Sequence, residues 1–179
     1  MKDTLVVNLM GGPGVGKSTY AALLFSKLKE MKIDCELSSE FAKELVWEQR
    51  NETFKDELYI FAKQAHRTFR LNGKVDVIIT DRPLILTCHY AKDDKALCNL
   101  CVDRFNQYNN LNYVLERVKD YNPNGRNQSE AEARKIDVSI KSILESYEIP
   151  YTVLPGVAES VDLMIKDIVE YLDKFGGNK

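Results

Sequence analysis

The sequence predicts an α/β domain in which a five-stranded parallel sheet is covered by helices on both faces. Two observations carry this. Five short apolar segments recur along the chain, and between them the apolar residues repeat at helical spacing. No internal repeat, low-complexity tract or long linker interrupts the 179 residues, so one domain with one sizeable core accounts for the whole length.

The elements follow in order. Thr4–Met10 (TLVVNLM) reads as a buried strand closed by glycines. From Lys17 the pattern turns helical, with Ala21, Leu24, Phe25 and Leu28 on one side. A short second strand is predicted over Asp34–Leu37, after which Ser38-Ser39 offers an N-cap to a helix that turns Phe41, Leu45 and Val46 inward. Thr53 and Asp56 have capping-box spacing, and the helix after them places Leu58, Phe61, Ala62, Ala65 and Phe69 on one face. Asn72-Gly73 stops it, and Val75–Thr80 (VDVIIT) is the third strand. A less regular, polar stretch leads to a fourth strand at Asn112–Glu116. The turn-forming Asn122-Pro123-Asn124-Gly125 lies in a charged loop, and Ser129 with Glu132 makes a capping box for a helix bearing Ile136, Ile140, Ile143, Leu144 and Tyr147. Tyr151–Leu154 is the fifth strand, ended by Pro155-Gly156, and Val161, Ile165, Ile168 and Leu172 mark the last helix.

Composition narrows the function. Hydrophobic residues make up 44% and charged ones 29%, the balance of an ordinary soluble domain, and no apolar run approaches the roughly 20 residues that span a bilayer. The first strand and the glycine loop fill the N-terminus, leaving no room for a signal peptide, so a cytoplasmic setting without membrane contact is expected. A net charge of -2 and a pI of about 5.8 argue against bulk duplex binding. Cys35, Cys88, Cys98 and Cys101 are expected to be reduced. The Cys98-x-x-Cys101 pair, with Cys88-His89 upstream, has zinc-ligand spacing but no second pair. Leu97, Leu100, Cys101 and Phe105 share one helical face, which favours a core role.

The most specific signal is Gly11-Gly12-Pro13-Gly14-Val15-Gly16-Lys17-Ser18, which meets the spacing G-x-x-x-x-G-K-[ST] between a predicted strand and a predicted helix. Glycines let the loop wrap an anion with successive backbone N–H groups turned inward. The helix that begins near Lys17 directs its positive end at the same point. Lys17 is expected at the β/γ oxygens of a nucleotide, Ser18 at Mg²⁺, and Thr19 near the α-phosphate. ATP and Mg²⁺ are therefore the expected cofactors.

Phosphoryl transfer also needs a carboxylate to organise the metal, a proton acceptor and positive charge around the migrating group. Asp81 ends the third strand at the carboxyl edge, where parallel sheets place ligands, and suits the metal; Arg82 beside it suits a substrate or phosphate. Glu40, after strand two, would face the glycine loop if that strand lies two positions from the first, and could accept a hydroxyl proton. The charged segment at about 117–134 reads as a lid that could close over ATP and exclude water, with Arg117 and Arg126 as its favoured residues and Lys119 and Arg134 as weaker ones. Trp47 and Tyr59 could stack on an acceptor, though core packing is the simpler reading.

The order GGPGVGKST, SSEFAKEL, DVIITDRP, ERVKDYNPNGRNQ and PYTVLPG resembles the small P-loop nucleoside and nucleotide kinases, nearest to the nicotinamide riboside kinase-like AAA-type domains of bacteria and phages. The resemblance implies a single P-loop NTPase domain with strand order 2-3-1-4-5. It also implies ATP as donor and a small hydroxyl- or phosphate-bearing acceptor, with Glu40 and Asp81 at the positions that face it. The Asp81-Arg82 dipeptide also resembles thymidylate-type kinases, whereas Ser39-Glu40-Phe41 stands where those carry Arg-Glu-Pro. The expected partner is a nucleoside- or nucleotide-like molecule; a homodimer is left open.

Two other readings compete. Phosphorylation of hydroxymethylated pyrimidines in DNA would use the lid arginines as a local basic groove, against the acidic pI. An ATPase or switch without an acceptor would ordinarily bring a second helical domain, for which 179 residues leave no obvious place. No Asn-Lys-x-Asp stretch marks a guanine-specific GTPase.

Overall fold

A computed structural model of the chain describes residues 3–91, 93–118, 120–121 and 129–176. Its sheet has five strands in the order β2-β3-β1-β4-β5, every pairing parallel. The strands are β1 (Leu5–Met10), β2 (Cys35–Ser38), β3 (Val77–Thr80), β4 (Asn109–Glu116) and β5 (Thr152–Pro155). The helices are α1 (Lys17–Glu30), α2 (Ala42–Trp47), α3 (Glu57–Phe69), α4 (Thr87–Ala91), α5 (Lys95–Phe105), α6 (Glu130–Ser146) and α7 (Ser160–Phe175).

Strand β1 lies at the centre and its side chains alternate between two cores. Leu5, Val7 and Leu9 pack with Tyr20, Leu24 and Leu28 of α1 and with Val161, Met164 and Ile168 of α7. Met10 faces the opposite side, among Phe61 of α3, Cys98 and Cys101 of α5, and Ile136 and Ile140 of α6. Helices thus cover both faces, as a parallel sheet requires. All four cysteines are buried free thiols, and burial holds Cys35 and Cys98 up at about 11, where they are poor nucleophiles. Among the described residues no group of His, Cys, Asp and Glu is placed to hold a metal in the manner of a zinc site. The core reading of Cys101 therefore holds.

Several local expectations are corrected. β4 begins three residues before the predicted start, because its polar Asn-rich end is satisfied inside the sheet: Asn8 donates from Nδ2 to Asn110 Oδ1 (2.8 Å) and Asn112 Oδ1 (2.9 Å). The stretch read as irregular after β3 holds the single-turn 3₁₀ helix Leu84–Leu86 and then α4 and α5. On α5 Leu97, Cys101 and Phe105 are buried as predicted, but Leu100 is exposed.

On α3 the buried stripe is Ile60, Phe61, Gln64 and Thr68, while Leu58 and Phe69 stand exposed. Two polar residues at core positions disguise that face. Thr53 lies within a 3₁₀ helix, Asn51–Lys55, and Asp56 itself caps α3 by accepting from the Tyr59 amide. The capping box at Ser129 and Glu132 is present in both halves, as predicted. Tyr147, expected on the inner face of α6, is exposed.

Candidate functional site

The turn from β1 into α1 closes the P-loop. Gly16 sits at φ +103, and a Cβ there would lie 2.6 Å from the Tyr20 ring, so this position admits only glycine. Lys17 folds back over the loop and donates from Nζ to the carbonyls of Gly11 (2.6 Å) and Gly12 (3.1 Å). Withdrawal from water lowers its pKa, opposed by the nearby Glu40 and Asp81 carboxylates.

Beside this loop opens a cleft of about 930 Å³. Its lining takes in Gly11, Pro13, Gly14, Gly16, Lys17, Ser18 and Thr19. It also takes in Glu40, Lys43, Trp47, Phe54, Glu57, Ile60, Arg82 and Tyr90. Gly12 and Val15 are absent from this lining. Val15 is buried in the core, and Gly12 lies against α6, where a Cβ would fall 2.4 Å from the Ala133 carbonyl oxygen.

β2 lies two positions from β1, and Glu40 accordingly reaches the P-loop cleft. The loop that carries it is held from α3. Gln64 accepts from the Phe41 amide (3.0 Å) and donates to the Ser39 carbonyl (3.3 Å), and Arg67 donates to Ser39 O and Oγ (both 3.1 Å). Ser38 Oγ bonds Thr68 Oγ1 at 3.2 Å. Ser38 and Ser39 are therefore spent on α3 and do not cap α2, whose N-cap is Phe41 without a side-chain bond. These bonds also explain Gln64 and Thr68 on the core face. Asp81 completes the clamp, its Oδ1 accepting from the Glu40 amide at 2.9 Å.

A smaller cavity of about 260 Å³ joins Ser18, Glu40 and Asp81, the two predicted metal residues among them. Asp81 does not line the larger cleft; Glu40 lines both. Arg82 is buried with its guanidinium 4.3 Å from the Tyr90 ring centroid and 3.8 Å from Glu40. Burial opposes its charge, but Tyr90, Glu40 and Glu57 more than offset this and keep its pKa raised. One oxygen of Glu57 is buried without a hydrogen-bond partner among the described residues, and desolvation raises that carboxyl above its usual range.

The lid prediction divides. Arg126 and Lys119 lie outside the described residues. Arg134 is exposed and pairs with Glu130 on its own helix at 2.7 Å, so it is a solvated-face residue. Arg117 does not line the cleft; its side chain packs beneath the loop, paired with Asp137 at 3.1 Å. Trp47 corrects the core reading: it is 73% exposed and lines both cavities. Tyr59 keeps it, packed edge-on to Phe41 at 5.7 Å.

Sequence reasoning missed Asp137, Glu57 and Tyr90. Asp137 had one available signal, a charge flanking the buried Ile136 on α6.

No curated protein matches the chain at a significant level. Among solved structures, the NadR protein in complex with NR superposes with a TM-score of 0.68 at 18% identity, over 99% of this chain and 53% of that one. The chain thus spans about half of that relative. Thymidylate kinase from Ehrlichia chaffeensis superposes with a TM-score of 0.61 at 17% identity, over 93% of this chain and 98% of that one. At these identities the likeness is one of fold, the P-loop NTPase fold with its parallel sheet in the order β2-β3-β1-β4-β5. Among the described residues no helix is long and apolar enough to cross a membrane. The profile of a family described as an AAA domain matches residues 6–161, most of the chain, and the protein belongs to that family.

Proposed function

We propose that this protein is an ATP-dependent kinase that transfers the γ-phosphoryl group to a hydroxyl or phosphate of a nucleoside, nucleotide or related small acceptor. One observation carries the reading. A single cleft of about 930 Å³ is lined both by the P-loop and by a carboxylate, a buried arginine and aromatic side chains. That lining offers an acceptor molecule a proton acceptor, a fixed positive charge and ring faces beside the loop that holds the donor phosphates.

The residues divide the work. Amides of the loop from Gly11 to Thr19 and the end of α1 favour the donor phosphates, with Lys17 as the side-chain charge among them. Ser18 and Asp81 share the smaller cavity, and their hydroxyl and carboxylate oxygens are the hard donors that Mg²⁺ selects. When bound, Mg²⁺ supplies charge neutralisation and orientation of the phosphates. Glu40 is favoured over Asp81 as the proton acceptor, because Glu40 lines the acceptor cleft while Asp81 is committed to the Glu40 amide. Arg82, fixed by Tyr90 and Glu40, holds positive charge where the acceptor enters.

The test incubates the protein with labelled ATP and a panel of nucleosides, nucleoside monophosphates, nicotinamide riboside, and DNA with or without hydroxymethylpyrimidines. A labelled small acceptor, reduced at least about 100-fold in Lys17→Ala, supports the kinase reading. Label in the modified DNA alone would move the acceptor to polynucleotide, and hydrolysis with no labelled acceptor would replace the kinase with an ATPase.

A further inference from the structure

Asp137 is a charged residue on α6 that touches both the P-loop and Arg117. Its Oδ1 accepts from the Gly12 amide at 2.5 Å. Its Oδ2 accepts from Arg117 Nη2 at 3.1 Å and Nε at 3.3 Å. The two oxygens of one carboxylate therefore tie together the start of the loop and the residue that follows β4.

Arg117 is left in an unusual condition. Its side chain is only 4% exposed, yet Nη1 is buried with no hydrogen-bond partner among the described residues. That nitrogen lies 3.2 Å from where a Cβ on Gly14 would stand, and the guanidinium sits 5.7 Å from the Tyr121 ring centroid. Buried N–H groups are seldom left unmade, because desolvation without a partner is costly. An anionic oxygen held on the loop near Gly14 would satisfy this one. A guanidinium gripped along one edge by a carboxylate keeps its remaining donors in a fixed direction.

We infer that Asp137 is a positioning residue of the donor-phosphate site. Through Gly12 it fixes the first half of the loop. Through Arg117, which lies outside the cleft lining, it holds an unpaired N–H beside Gly14 for a phosphate oxygen drawn onto the loop there, while the arginine cancels the charge the carboxylate would otherwise turn on that phosphate. This rests on the nucleotide-binding part of the function proposed above, and needs no assumption about the acceptor.

The test is equilibrium binding of MgATP, with thermal melts of the unliganded proteins, for wild type, Asp137→Asn, Arg117→Ala and the double variant. Asparagine keeps the shape and an oxygen for Gly12 but loses the charge that aims Arg117. It is expected to weaken MgATP about tenfold. In the Arg117→Ala background the same change is expected to add little, because its effect passes through that arginine. A purely structural role would lower the melting temperature yet leave the two losses additive. Binding by Asp137→Asn equal to or tighter than wild type, or additive losses, overturns the inference. Failure of wild type itself to bind MgATP would instead overturn the nucleotide reading, and this inference with it.

Discussion

On the donor side of the cleft, Lys17 donates to two loop carbonyls, Asp137 accepts from Gly12, and Gly16 adopts a conformation that only glycine tolerates. Across the cleft, Trp47 stands 73% exposed at the end of a six-residue helix, and one Glu57 oxygen is buried without a hydrogen bond among the described residues. The first wall is specified by backbone conformation and close packing, with Arg117 Nη1 beside it buried without a hydrogen-bond partner among the described residues. The second is assembled from side chains of α2, α3 and α4 and of the segments between these elements that carry Glu40, Phe54 and Arg82. Under the proposed function, phosphate is held at the rigid wall and the acceptor is chosen at the looser one.

The strongest way to break this contrast is Gly12→Ala. A methyl group there would meet the Ala133 carbonyl at 2.4 Å and Asp137 Oδ1 at 2.8 Å, and the nearer obstacle is backbone that cannot rotate away. The expected cost is about 1–3 kcal/mol as α6 is forced off the loop. It should appear as a melting temperature lower by roughly 2–10 °C, with weaker MgATP binding. An alanine variant that melts with wild type would mean that the donor wall is no stiffer than the acceptor wall.

The same contrast explains what could be read from the sequence. The P-loop, Glu40 and Asp81 are legible because their signals are local: a glycine spacing, a residue just after a strand, an acidic strand end. The strand order is legible through the resemblance those motifs carry. Asp137 and Arg117 meet across 20 positions, and no local pattern announces the pair. The core face of α3 escapes a hydrophobic pattern because Gln64 and Thr68 occupy it, and both serve the loop bearing Glu40. Hydrophobicity alone places Trp47 in the core, although α2 is too short to bury every apolar residue it carries. Each of these departures lies beside the cleft: Gln64 and Thr68 hold the loop bearing Glu40, and Trp47 lines both cavities.

Glu57→Gln gives a smaller and pH-dependent effect. Burial raises the folded carboxyl above its unfolded value, so the folded state holds the proton more tightly. Stability from this group is therefore lost as pH rises from the ordinary carboxyl range through the raised folded value. Arg82 reduces the penalty without removing it. Glutamine keeps the shape without the charge. Its melting temperature should match that of wild type near pH 4 and exceed it by about 1–3 °C at neutral pH. A difference that stays flat across that range would show that the Glu57 carboxyl, and with it this part of the acceptor wall, is adequately solvated or paired.

Trp47→Ala should change stability least of all. At 73% exposure the indole has little apolar surface withdrawn from water, so truncation should cost under about 0.5 kcal/mol, despite removing the largest side chain in the protein. Its place on both cavities predicts the opposite for binding. If the ring closes on an acceptor, alanine should raise the acceptor KM by about 3- to 10-fold while leaving the KM for ATP unchanged, a split that stacking on a planar base would produce. A loss of stability comparable to that of Gly12→Ala would place Trp47 in the packed core after all. An equal rise in both KM values would show that the two walls are not separable, because a side chain on one would then be setting the geometry of the other.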